Sequence, residues 1–139
     1  MKKLITLLAA AIMLPALASD FPAGSPKFGT NYETALATAK KEGKPVILVF
    51  SATWCPPCQS MKKSVYPSAE VKPLHDKFVW AYLDVDDAEN AKAATQYGVE
   101  GIPHVQFLNS AGKNIDKLVG GVPPADFAAT LNKILDKAK

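Results

Sequence analysis

Two cysteines stand three positions apart, at Cys55 and Cys58, and the chain has no others. Two prolines separate them, giving Cys55-Pro56-Pro57-Cys58. Thiols this close can close a disulfide with each other and reopen it. The flanking sequence supports that chemistry. Val46-Ile47-Leu48-Val49-Phe50 is a short apolar run between Pro45 and Ser51 and reads as a strand buried on both faces. Gln59 to Lys63 suits a helix, and a proline at position 57 is tolerated in its first turn. A cysteine between a buried strand and a helix start meets free backbone N–H groups and the positive end of the helix dipole, which favour the thiolate.

Two other roles for the pair are weaker. A structural disulfide over so short a loop removes little entropy from the unfolded chain, because the gain grows with loop length. Zinc wants four ligands at characteristic spacings, and His75 and His104 are far apart in sequence. A two-coordinate Cu(I) thiolate site, in a non-enzymatic carrier or binding module, is compatible with ligand softness alone.

The elements that must position the pair follow along the chain. Met1-Lys2-Lys3, the apolar run Leu4 to Leu14, and Ala16-Leu17-Ala18 together read as a signal peptide cleaved after Ala18. The run is short of the roughly 20 residues that a spanning helix needs. Residues 1–18 are thus read as leader, 19–29 as an irregular arm with an edge strand near Lys27-Phe28, and 30–139 as one domain. Thr30-x-x-Glu33 has the capping-box spacing and predicts a helix ending near Gly43. A helix is expected to run to about Val65, with Ser68 capping a further short helical segment. Phe78 to Leu83 is a second strand, and Asp86 or Asp87 caps a helix from Ala88 to about Tyr97. Val105 to Leu108 and Asn114 to Val119 form a hairpin. A last amphipathic helix carries Phe127, Leu131, Ile134 and Leu135 as its buried stripe. The predicted fold is α/β: a mixed sheet, built from a parallel βαβ unit and an antiparallel hairpin, flanked by helices.

Composition narrows the partners. Apolar content is 48% and the formal charge is +3, with Lys2 and Lys3 in the leader. A nearly neutral mature chain without arginine is poorly equipped to bind nucleic acid. The acidic stretch Asp84, Asp86, Asp87 and Glu89 lacks calcium-loop spacing and reads as helix capping. His75 is expected at the surface, and Trp80 and Phe107 in the core.

Trp54-Cys55-Pro56-Pro57-Cys58 resembles the W-C-x-x-C signature of the thioredoxin superfamily, and Gly101-Ile102-Pro103 resembles its G-I-P segment, whose proline is cis and faces the active disulfide. The similarity covers roughly Lys44 to Leu135. Glu42 to Val46 and Tyr66 to Val71 are similar to secreted thioredoxin-like proteins and to the C-terminal domain of the periplasmic thiol transporter. The resemblance implies a thioredoxin fold and an exported, periplasmic or secreted thiol:disulfide oxidoreductase, monomeric, acting on protein thiols and disulfides, with a membrane thiol transporter as redox partner and no cofactor. A thiol oxidase of the same fold is the alternative.

By the same resemblance Cys55 is the exposed nucleophile and Cys58 the more buried resolving thiol. Trp54 forms an apolar lip, Pro56 and Pro57 shape the loop, and Ile102 and Pro103 face an extended substrate. One departure stands out. The buried acid of cytosolic thioredoxins, five positions before the tryptophan, is Val49 here, and its facing lysine is Tyr82. Water or another group, with Glu100 and His104 as candidates, must take over its role. The two prolines also withhold their amides, leaving Cys58 N–H and the residues beyond it to support the Cys55 thiolate. Moderate stabilisation of that kind predicts an intermediate or reducing pair.

Overall fold

A computed structural model describes residues 20–139. The proposed leader, residues 1–18, and Ser19 at the head of the arm lie outside the described residues. Five strands form one sheet: β1 (Phe28–Gly29), β2 (Val46–Ser51), β3 (Val79–Asp84), β4 (His104–Leu108) and β5 (Asn114–Val119). Their order is β1-β3-β2-β4-β5. β1, β2 and β3 run parallel, and β4 and β5 each run antiparallel to the neighbour before it in that order. The helices are α1 (Tyr32–Glu42), α2 (Pro56–Ser64), α3 (Ala88–Gln96) and α4 (Pro124–Lys137), with a 3₁₀ turn at Lys72–Lys77. The mixed sheet with flanking helices is the one read from the sequence.

β2 is central, and every one of its residues is buried. Its side chains alternate between two cores. Ile47 and Val49 join Val105 and Phe107 under α2 and α4, where Met61, Val65, Phe127, Leu131 and Ile134 close the layer. Val46, Leu48 and Phe50 face the other way, with Leu108, against Ala35 and Ala39 of α1 and Ala93 of α3. β5 is an edge strand with mostly exposed residues. Its Asp116 and Lys117 discourage pairing with another chain.

The N-terminal arm takes part in the sheet. β1 lies one residue later than Lys27-Phe28 and extends the sheet beyond β3. Phe28 reaches the α2–α4 core, edge-on to Tyr66 at 5.7 Å and Trp80 at 5.6 Å between ring centres.

Most element boundaries follow the local sequence signals, with a few shifts. The capping box at Thr30 does not form. Asn31 caps α1 instead, its side-chain oxygen accepting the Thr34 N–H at 2.8 Å. Asparagine is a strong N-cap, and its position leaves Thr30 outside the helix. Ser68 caps nothing downstream, because its hydroxyl donates to the Val65 carbonyl at 2.6 Å. The short helical segment begins only at Lys72, with Pro73 in its first turn. His75 is half-buried rather than at the surface, with its Nε2 2.7 Å from the Tyr66 carbonyl oxygen. Asp87, one of the two expected residues, caps α3.

One buried group in this core is unsatisfied. The Tyr66 hydroxyl is fully buried and has no hydrogen-bond partner. Burial pushes its phenol far above the usual tyrosine range, with Tyr82 adding to the shift. Tyr66→Phe removes the orphaned oxygen and keeps the ring contacts. It is expected to raise stability by about 1 kcal/mol, read as a higher urea midpoint at unchanged slope.

Candidate active site

The pair sits where β2 ends and α2 begins. Cys55 is the N-cap of α2, with Pro56 and Pro57 opening the helix. Neither proline has an N–H, so the first amide available is that of Cys58. It donates to the Cys55 sulfur at 3.3 Å. The cysteines are joined as a disulfide with Cα atoms 5.3 Å apart. Ala52 packs against both sulfur-bearing residues, with Val85 and Ile102 at the margin.

The peptide bond between Ile102 and Pro103 is cis. It brings the Ile102 carbonyl oxygen to 3.7 Å from the Cys55 sulfur. The Pro103 carbonyl in turn accepts the Gly120 N–H at 2.8 Å, tying this loop to the end of β5. The next glycine, Gly121, passes close to Pro57, whose Cβ lies 3.8 Å from where a side chain would begin. Three loops therefore converge on the pair: the α2 start, the segment before β4, and the turn after β5.

Openness of the nucleophile is the expectation that needs correcting. Cys55 is 4% exposed and Cys58 1%. The anticipated order holds, but Cys55 is not openly exposed. Ala52 and Ile102 pack beside it. What faces solvent is the apolar rim. Trp54 is 65% and Val119 54% exposed, the two large hydrophobic side chains that stand out among the described residues.

Sequence reasoning missed two parts of this rim. Asp86 was read only as a cap, yet its carboxylate accepts the Trp54 indole N–H at 2.9 Å. Val119 was read only as a hairpin residue. No local pattern marks either one, since each acquires its place through long-range contact. Asp86→Ala frees the indole. It is expected to lower kcat/KM for disulfide reduction roughly three- to tenfold, about what one solvent-exposed hydrogen bond supplies, with stability held within about 0.5 kcal/mol. Insulin reduction and a thermal melt check both.

The two residues suggested as replacements for the missing acid sit in different settings. Glu100 is exposed. His104 is 1% exposed and pairs in register with Phe50, so its ring lies on the α1–α3 side of the sheet, away from α2. There its Nε2 meets the Gln106 side-chain oxygen at 2.8 Å, and Gln106 donates to Asn114 at 3.2 Å. Val49 does pair with Tyr82, as the resemblance implies. Among the described residues no cluster of three or more His, Cys, Asp or Glu side chains could hold a metal ion.

A paired-cysteine centre at the start of a helix, facing a cis-proline loop at the end of a mixed α/β sheet, defines the class: a thioredoxin fold with a disulfide-forming C-x-x-C pair. The chain belongs to the thioredoxin-like domain family, whose family model matches residues 32–135. It is 34% identical over 98 residues to the chloroplastic thioredoxin-like protein HCF164 of Oryza sativa subsp. japonica, covering 70% of this chain and 35% of that one. Among solved structures it is similar to a thioredoxin from Thermus thermophilus, with a TM-score of 0.72 and 34% identity over 78% of this chain and 87% of that one. It is also similar to the oxidised C-terminal domain of DsbD from Neisseria meningitidis, with a TM-score of 0.64 and 31% identity over 73% of this chain and 90% of that one. The chain spans about a third or less of the length of the first curated relatives it matches.

Proposed function

We propose that this protein is an exported thiol:disulfide oxidoreductase that reduces or exchanges disulfides in protein substrates, working as one domain over residues 30–139 after loss of residues 1–18. The observation that carries the reading is the Cys55–Cys58 pair at the α2 N-terminus, with the Cys58 amide aimed at the Cys55 sulfur. The Cys55 thiolate attacks a substrate disulfide and releases one substrate thiolate. Cys58 then attacks the Cys55 sulfur and releases the second. Substrate gains two electrons, and the pair becomes a disulfide.

Trp54, next to Cys55, and Val119, against the loop that carries Ile102 and Pro103, offer apolar contact, and that loop offers backbone to an extended substrate. No cofactor enters the cycle. With only one nearby amide supporting the thiolate, the pair is intermediate or reducing in poise. A reductase in an oxidising compartment must be recharged. The likeness to the C-terminal domain of DsbD favours a membrane thiol transporter as the electron source. Export rests on the basic start, apolar run and small-residue cleavage pattern of residues 1–18.

Insulin reduction by the purified dithiol tests the activity. Alkylation trapping in the native compartment tests the direction, with a mostly reduced pair expected. A reduction potential close to that of a strong periplasmic oxidase, about −120 mV, would overturn the reductase direction.

A further inference from the structure

Two hydroxyls lie on the α2 side of the sheet: Tyr82 stands where the resemblance expects a lysine, and Ser51 lies beside Val49, where it expects an acid. Ser51 follows Val49 by two positions in β2 and so shares its face. It is 1% exposed. Its Oγ lies 2.6 Å from the Tyr82 hydroxyl oxygen, and Tyr82 is the residue paired with Val49. The next residue in the chain, Ala52, packs against both cysteines. On α2, Cys58 and Lys62 are one turn apart and share a face. The Lys62 ammonium stands 5.6 Å from the Tyr82 ring centre. The hydroxyl pair therefore lies under the first turns of α2, at the end of the sheet that carries the cysteines.

The outer side of this pair is closed by the arm. Phe21 packs edge-on against Tyr82 at 5.2 Å and against Phe28 at 4.7 Å, and Lys62 Nζ sits 4.9 Å from the Phe21 ring centre. A buried serine in an otherwise apolar strand needs a partner, and Tyr82 supplies it. Burial pushes the Tyr82 phenol up and Asp84 adds to that, while the Ser51 hydrogen bond pulls it down. The phenol therefore stays protonated at neutral pH. The ionisable groups around it are Lys62 from α2, Tyr66 beyond the end of α2 and Asp84 on its own strand. The arm presents the Phe21 and Phe28 rings, with the Asp20 carboxylate beside Phe21 and Lys62 at the outer edge.

We propose that Ser51 and Tyr82 are positioning residues that pass the Cys58 proton to solvent during resolution, with Phe21 and Lys62 as the outer gate of that path. The proposal rests on the reading of Cys58 as the resolving thiol. In that step a bond forms between the Cys58 and Cys55 sulfurs, and the substrate sulfur leaves as a thiolate. The Cys58 proton must depart from a residue that is 1% exposed. A hydroxyl accepts one proton while donating another, so a pair of them moves the proton outward without holding a charge beside the disulfide.

The test is single-turnover reduction of insulin from about pH 5 to pH 9, spanning the thiol range. Tyr82→Phe keeps the ring and drops the oxygen. The pH of half-maximal resolution is expected to rise by about one unit, slowing resolution about tenfold at neutral pH. Mixed-disulfide formation, read in a Cys58→Ala background, is expected to keep its rate with Tyr82→Phe added. Ser51→Ala should give the same shift, and the double variant should add nothing further. Ser51→Thr, which retains the hydroxyl, should keep the parent profile, and the Ser51 pair carries the test should Tyr82→Phe not fold. Superimposed profiles, or equal shifts in attack and resolution, overturn the proton path. A wild-type protein that never reduces insulin would instead sink the thiol-exchange reading on which it rests.

Discussion

Cys55→Ser is expected to abolish insulin reduction, with a loss on the order of 10³-fold or more, because the substitution removes the nucleophile itself. A serine hydroxyl at this N-cap still accepts the Cys58 amide, so the helix start keeps its capping bond. The loss should therefore appear in turnover and not in the melting temperature. Cys58→Ser divides the cycle at the other point. Attack by Cys55 proceeds, but the captured substrate stays attached. One equivalent of mixed disulfide is expected to accumulate, visible by intact mass and reversed by added dithiol. Should Cys55→Ser retain turnover while Cys58→Ser loses it, the assignment of the two roles is reversed.

Phe127→Ala is expected to cost about 3–5 kcal/mol, the range for truncating a buried aromatic. Phe127 is fully buried in the first turns of α4. Its ring lies 5.4 Å from that of Tyr66 and 6.3 Å from that of Trp80. Tyr66 and Trp80 also receive Phe28 from the arm. The cavity therefore opens where α4, the segment after α2 and the arm meet. A large fall in the urea midpoint is expected. At temperatures where the variant is still folded, insulin reduction should stay near the parent rate, because the ring touches neither cysteine nor the rim. A loss below about 1 kcal/mol would mean that the site collapses around the smaller side chain.

Much of the site was legible because its signals are local. The apolar run before Cys55, the prolines after it and the spacing of the cysteines all act within a few residues, and together they dictate a strand, a cap and a helix start. Gly43 after α1 is another local signal, held at a φ of 66°. Shifts arose where two residues competed for one job. Asn31 took the cap that Thr30 could have served, and Ser68 turned back to Val65 rather than forward.

The residue types and their order thus determined the alternation of elements, the buried central strand and the position of the paired thiols, since hydrophobic periodicity and turn chemistry are properties of neighbours along the chain. Tertiary structure alone decided what surrounds the thiols. It brought Asp86 to Trp54 and Val119 to the rim, and it turned His104 away to the far side of the sheet. It also matched Ser51 with Tyr82 beneath α2, roofed by Phe21. Those contacts depend on strand order and register, which are set by how whole layers bury their apolar faces and not by any short stretch of sequence.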